Sequence, residues 1–160
     1  MHMLVGITGN LGSGKTEFRR ALERFGHRTH DADRMVEQLY KDTQVLGQLQ
    51  AAFGEEVVKK GAVDRKVLAA KVFNSSLNLK KLNNIIHPLV RGRISKIQHF
   101  DGIVFVEVPL LFEARMQDLF DKVVLLRASH STSKSRAKKK GLPEEEFEKR
   151  VASQYAADRV

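Results

Sequence analysis

The sequence predicts an α/β fold of three layers, a parallel sheet held between helices. Three observations predict it. Apolar runs of strand length stand at residues 3–8, 103–108 and 122–126, and Ile103-Val104-Phe105-Val106 is nearly continuous, as in a strand buried on both faces. The stretches between the runs carry apolar residues at helical spacing, which implies right-handed crossovers between parallel strands. A glycine-rich turn follows the first run and leads straight into one of the helical patterns.

Each element follows in order. Val5 and Ile7 mark the first strand. Residues 16–25 form a helix with Phe18, Ala21, Leu22 and Phe25 on one face, and Gly26 ends it. Residues 27–31 give a short second strand. Asp31-Ala32-Asp33 opens a helix carrying Met35, Val36, Leu39 and Tyr40. Thr43–Phe53 is helical through Val45, Leu46, Leu49 and Phe53, and Gly54 and Gly61 bracket a turn-rich piece. Asp64 caps a helix over Arg65–Phe73, and Ser75 or Ser76 caps the next, up to Ile86. His87-Pro88 breaks that pattern, with Pro88 at the first position of a further helix ending near His99. Strands at 103–108 and 122–126 bring the total to four. Helices over 131–140 and 143–157 close the chain, with Glu144, Glu145 and Glu146 suited to a helix N-terminus. The length of 160 residues suggests a single domain.

Composition narrows the class. No window approaches the ~20 apolar residues of a membrane span, and Met1-His2-Met3-Leu4-Val5 lacks a basic segment ahead of a long apolar run, so no signal peptide is expected. Cysteine is absent, which removes disulfides and thiolate metal sites and points to a reducing, cytoplasmic setting. The net charge of +9 suits a polyanionic partner, a nucleic acid or a nucleotide phosphate. Lys134, Arg136, Lys138, Lys139 and Lys140 crowd one stretch, but no groove-reading or stacking motif accompanies them, so specific nucleic-acid binding is not expected.

Gly9-Asn10-Leu11-Gly12-Ser13-Gly14-Lys15-Thr16 matches the phosphate-loop pattern G-x-x-x-x-G-K-[ST] in full, with a strand before it and a helix after. Its glycines let backbone amides converge on phosphate, and the helix N-terminus adds positive potential. Lys15 has the reach for the β- and γ-phosphates of ATP, and Thr16 offers a hydroxyl to Mg²⁺. The motif does not distinguish ATP from GTP, or a kinase from another nucleotidase. Asp33 stands beyond the second strand, where ligands of open α/β sheets bind, and reads as a base for an acceptor hydroxyl or as a helix cap. His87 and Arg91, one turn apart, read as phosphate contacts or as surface groups. Glu107 ends an apolar strand, a position suited to a carboxylate acting on Mg²⁺. Pro109-Leu110-Leu111-Phe112-Glu113 follows as an apolar loop, either at the ligand edge or simply packed.

Together these residues resemble the dephospho-CoA kinase family over essentially the whole chain. The resemblance rests on Leu4-Val5-Gly6-Ile7-Thr8-Gly9 leading into the phosphate loop, Asp31-Ala32-Asp33, Phe53-Gly54, Asp64-Arg65, and His87-Pro88-Leu89-Val90-Arg91. It continues with Val108-Pro109-Leu110-Leu111-Phe112-Glu113, then Gly141-Leu142, the three glutamates, Arg150 and Gln154. It implies a P-loop kinase fold and phosphorylation of the ribose 3′-hydroxyl of dephospho-CoA by ATP with Mg²⁺. Leu11, Gly12, Ser13, Gly14, Lys15, Thr16 and Glu17 would form the nucleotide side, with Thr16 and Glu107 toward the metal. Asp33 would be the base. His87, Arg91, Leu110, Leu111, Phe112 and Glu113 would serve the acceptor side, within and beside a helical part over about 34–100. Arg136 and Lys140 would act from a basic lid over about 131–142.

The chain departs from the family pattern at four points. Glu17 stands where Ser or Thr is usual, and Asn10 replaces a glycine. Lys140 replaces the second of two lid arginines, with one residue fewer before Gly141. The family continues beyond Val160 through a final strand and helix, so the resemblance implies either a fragment or a shortened protein with impaired nucleotide binding, and an open edge at the strand over 122–126. Alternatives are another small-molecule or nucleoside monophosphate kinase, or a nucleotide-binding protein with impaired catalysis. The sequence leaves the oligomeric state open.

Overall fold

Strand β1 (His2–Gly9) is buried from Leu4 onward and forms the middle of a parallel sheet. In the computed structural model, which describes residues 2–73, 75–97 and 101–154, β1 pairs on one side with Gly102–Glu107 and on the other with Lys122–Leu126. Along the chain, β2 (Arg28–Asp31) and a two-stranded hairpin, β3 (Val58–Lys59) and β4 (Ala62–Val63), come between β1 and these two strands. The partners of β1 are therefore β5 (Gly102–Glu107) and β6 (Lys122–Leu126), and the sheet order is β2-β5-β1-β6. The four expected strands are all present, in one parallel sheet.

The chain divides into two compact units. The first, Met1–Ala32 with Ile94–Val160, contains the sheet, α1 (Lys15–Arg24), α6 (His130–Lys139) and α7 (Glu144–Ala152). Leu4, Ile7, Val104, Val106, Leu111 and Phe147 are its fully buried centre. Across α6 and α7, Lys134 pairs with Glu144 at 2.8 Å and His130 with Glu148 at 3.0 Å, while the His130 ring meets Phe147 edge-on. Ser129 caps α6 by accepting from the Thr132 amide at 3.2 Å.

The second unit, Asp33–Arg93, is helical. It comprises α2 (Ala32–Leu39), α3 (Thr43–Phe53), the hairpin, α4 (Arg65–Phe73) and most of α5 (Ser76–Ile97). Side-chain caps set its boundaries. Asp42 accepts from the Gln44 amide at 2.9 Å, Asp64 from Lys66 at 3.1 Å, and Ser75 from Asn78 at 3.1 Å. Leu49, Phe53, Val57, Leu68 and Val90 are buried within it.

Three expectations change. The helix expected to stop at Ile86 runs through His87 and Pro88 as α5. Proline removes one N–H, which frees the carbonyl of Asn84. Asn84 and Pro88 both lie on the exposed side of the helix, while Ile86, Val90 and Ile94 keep the opposite face buried. The turn-rich piece folds as the β3–β4 hairpin around Lys60 (φ 52°) and Gly61 (φ 75°), both left-handed as its two-residue turn requires. On α1 the buried positions are Lys15 and Arg19, whereas Phe25 is 82% exposed. The expected ends near His99 and at 155–157 lie outside the described residues.

Candidate active site

The carboxyl ends of β1, β2 and β5 lie side by side, because Ile7 and Asp31 both register with Glu107. The phosphate loop leaves β1 at this edge. Gly9 (φ 151°) and Gly12 (φ 76°) adopt backbone that disfavours any Cβ. A Cβ on Gly9 would lie 2.2 Å from the Leu126 carbonyl oxygen, and one on Gly12 would lie 2.6 Å from that of Ser133. The glycines thus let the loop sit against β6 on one side and α6 on the other. Asn10 is not among the residues with positive φ, so its replacement of a glycine costs no backbone strain.

Inside the loop, the Ser13 amide donates to the Asn10 carbonyl at 3.0 Å. Lys15 is buried, and its ammonium donates to the carbonyls of Gly9 at 2.6 Å and Asn10 at 3.0 Å. The Ser13 hydroxyl is buried with no hydrogen-bond partner. Helix α1 starts from Gly14, and no side chain caps its first amides. Converging donors, an ammonium and an orphaned hydroxyl at a helix N-terminus form a setting that a polyphosphate completes. Arg136 adds a cation there, its guanidinium donating to the Gly12 carbonyl at 3.1 Å. Leu11 donates its amide to the Gln154 side chain at 2.9 Å.

Below the loop the Thr16 hydroxyl donates to one oxygen of Glu107 at 3.1 Å, and Arg19 Nε donates to the other at 2.9 Å. Arg19 also pairs with Glu23 at 2.5 Å and approaches Asp31 at 3.9 Å. Both Arg19 and Glu107 are about 5% exposed, so this is a buried ion pair in which each carboxylate oxygen accepts one of these hydrogen bonds and keeps a further lone pair. Sequence reasoning missed Arg19. Its one available signal is its place four residues after Lys15, on the helix face that starts at the phosphate loop. Hard oxygens from Thr16 and Glu107 suit Mg²⁺, which takes one or two protein ligands alongside phosphates. Among the described residues no cluster of three His, Cys, Asp or Glu forms a metal cage.

The remaining candidates fall at different places. Glu17 points outward to Arg20 at 3.1 Å, and both are exposed. Lys140 follows α6 as an exposed C-cap residue, its amide bonded to the Ala137 carbonyl at 3.0 Å. In the loop after β5, Leu110 is exposed and Phe112 and Glu113 are half-buried. Leu111 departs from the expected substrate contact. It is fully buried, and its methyl would lie 2.7 Å from a Cβ on Gly6, so it packs the loop onto β1 instead.

In the helical unit, Asp33 lies in the first turn of α2 rather than at its cap position. It lines a cleft of about 390 Å³ together with Val36, Tyr40, Arg65 and Leu68. His87 and Arg91 stand one turn apart on α5, both half-buried. Burial holds the His87 imidazole below its ordinary 6.5, which favours the neutral ring.

A family model described as dephospho-CoA kinase matches residues 3–159. The curated dephospho-CoA kinase of Aquifex aeolicus is 33% identical over 155 residues, covering 94% of this chain and 79% of that protein. A crystal structure from Thermus thermophilus superposes with a TM-score of 0.86 at 30% identity, covering 99% of this chain and 83% of the other. The dephospho-CoA kinase of Campylobacter jejuni gives a TM-score of 0.62 at 22% identity over 94% of this chain and 78% of the other, a likeness of fold.

Proposed function

The chain belongs to the dephospho-CoA kinase family, and from that premise we propose how its residues divide the ATP-dependent phosphorylation of dephospho-CoA. The observation that carries the reading is the phosphate loop, with its buried Lys15 ammonium and orphaned Ser13 hydroxyl. Amides of Leu11, Gly12, Ser13, Gly14, Lys15 and Thr16 bind the polyphosphate, and Lys15 stabilises charge on the β- and γ-phosphates as it develops. Arg136, already bonded to the loop at Gly12, adds positive charge, and Lys140 lies four residues further on. Glu17 is directed to Arg20, which spares the phosphates its repulsion.

Asp33 accepts the proton of the acceptor's ribose 3′-hydroxyl, so that the oxygen can take the γ-phosphoryl group while ADP leaves. Its position in the first turn of α2, facing a cleft, supports this role. His87, Arg91, Leu110, Phe112 and Glu113 are assigned to the acceptor side. Thr16 and Glu107 would hold Mg²⁺, which would neutralise phosphate charge as it develops. The segment over 34–100 is the acceptor-binding part and that over 131–142 the lid, both within a cytoplasmic enzyme.

The test is ATP consumption with and without dephospho-CoA. Dephospho-CoA should be required for turnover, and Lys15→Ala should remove most of it. Asp33→Asn should cut kcat by roughly 10²–10⁴-fold, the usual contribution of a positioned base, while leaving ATP binding nearly unchanged. Unaltered turnover in Asp33→Asn would refute the base assignment.

A further inference from the structure

The helical unit holds two adjoining hollows with a cation between them. The first, of about 390 Å³, is lined by Asp33, Val36, Leu68, Ala69, Val72 and others, and the second, of about 280 Å³, by Lys41, Ala62 and Val63. Glu37, Tyr40 and Arg65 line both, so they form the waist where the hollows meet. Both volumes are of the order of small-molecule sites. The lining comes from regular stripes. Asp33, Val36, Glu37 and Tyr40 recur at i, i+3, i+4 and i+7 on α2, and Arg65, Leu68, Ala69 and Val72 do so on α4. Charged and aromatic groups collect at the waist, while the wall of the first hollow is mostly apolar.

Arg65 is held ready for an anion. Its guanidinium lies 5.9 Å over the Tyr40 ring and 3.3 Å from Glu37. The ring fixes the plane of the guanidinium without using its hydrogen-bonding edge. The ion pair with Glu37 is more than half exposed on both sides, so it contributes little and exchanges readily for a better anion. Lys41 lines the second hollow and adds a further positive charge beyond the waist. Tyr40, just past the end of α2, follows Asp33 by seven positions, about 10 Å of helical rise. The 3′-hydroxyl and 5′-diphosphate of a nucleotide leave the same ribose ring and lie closer together than this, so the long Arg65 side chain reaches from the waist toward Asp33.

We propose that Arg65 pairs with the diphosphate of the acceptor at the waist of this double cleft. The ribose then lies between Arg65 and Asp33 with its base against the apolar wall, and the arm beyond the diphosphate enters the second hollow. This rests on the reading of the chain as a dephospho-CoA kinase with Asp33 at the acceptor hydroxyl. It makes Arg65 a specificity-determining residue that distinguishes phosphorylated acceptors from plain nucleosides.

The test measures dephospho-CoA and ATP binding by calorimetry, alongside steady-state kinetics, for wild type, Arg65→Met, Arg65→Lys and Glu37→Gln. Loss of a charge-assisted pair predicts that Arg65→Met raises the dephospho-CoA Kd and KM by about 10–100-fold, with the ATP Kd unchanged. It should also flatten the salt dependence of dephospho-CoA binding. Arg65→Lys should recover part of the affinity. Glu37→Gln removes the competing carboxylate and should tighten dephospho-CoA binding, an effect that a merely structural role for Arg65 would not produce. The proposal is overturned if Arg65→Met leaves the dephospho-CoA Kd within twofold of wild type, or weakens ATP equally. It is also overturned if Glu37→Gln weakens acceptor binding. A wild-type protein that fails to phosphorylate dephospho-CoA would sink the functional reading instead, and the calorimetric arms would still decide the role of Arg65. Thermal unfolding of each variant identifies any that has lost its fold, and Val72→Trp, which fills the first hollow from another position, then carries the same Kd test: unaltered dephospho-CoA binding in it rejects the cleft.

Discussion

Arg19 shows how one side chain ties the sheet edge to the phosphate loop. Its guanidinium bonds Glu107, and Glu107 in turn accepts from Thr16, so the threonine hydrogen is aimed inward and its lone pairs are left for a cation. Removing Arg19 alone strands a buried carboxylate. Arg19→Leu should therefore cost about 3–5 kcal/mol in urea unfolding, the usual penalty for breaking a buried pair from one side. Arg19→Leu combined with Glu107→Leu should regain most of that stability yet bind Mg-ATP more weakly than wild type. A double variant no more stable than Arg19→Leu would argue against the pairing. The sequence could not show this pair, because apolar spacing on α1 pointed to Phe18, Ala21, Leu22 and Phe25. A charged side chain on a helix is ordinarily taken for a solvent-facing one, and here the partner that makes its burial tolerable lies 88 residues away. The phosphate loop, by contrast, was readable residue by residue, because its chemistry is local.

Among the elements, the phosphate loop and α6 meet at Gly12 with no room to spare. Gly12→Ala would force a methyl to 2.6 Å from the Ser133 carbonyl oxygen at a φ of 76°. It should lower both the melting temperature and ATP affinity, whereas Gly47→Ala, where nothing lies within 4 Å of the added carbon, should do neither. Differential scanning fluorimetry with and without ATP separates the two. Helix α5 makes the opposite kind of prediction. Pro88 is exposed within a continuous helix, so Pro88→Ala restores the bond to Asn84 and should stabilise the protein, by up to about 3 kcal/mol on helix-propensity grounds. Proline read as a boundary because its local cost is large, and only the burial of Ile86, Val90 and Ile94 along the same helix reveals why the chain accepts it. The β3–β4 hairpin escaped notice because Lys60, not asparagine or glycine, occupies a left-handed turn position.

At the scale of the whole molecule, stability should depend on pH through His30 and His87. Burial lowers the pKa of both below 6.5, and Arg28 adds to the effect at His30. The unfolded chain therefore takes up protons first, and stability should fall as pH drops below about 6.5, with no contribution above it. Glu56, Glu145 and Glu148, held below 4.5 by lysine or histidine partners, act only in a lower window. Thermal melts from pH 7.5 to 5.5 should show the decline, and His30→Gln with His87→Gln should flatten it; an unchanged slope would rule these two groups out. The fold itself was readable at this scale because continuous apolar runs and helical spacing survive averaging over many residues. The division at Asp33 and Arg93 was less so, since no linker or composition shift marks it. The pairing of β1 also bears on how the protein is made. This apolar strand leaves the ribosome well ahead of its neighbours β5 and β6, which begin only at Gly102 and Lys122. Roughly a hundred residues must be translated before it can be covered, about 5–20 s at typical elongation speeds. For that interval the nascent chain carries a sticky, unpaired segment, so yield in the cell should respond to chaperone supply more than the finished enzyme's robustness would suggest.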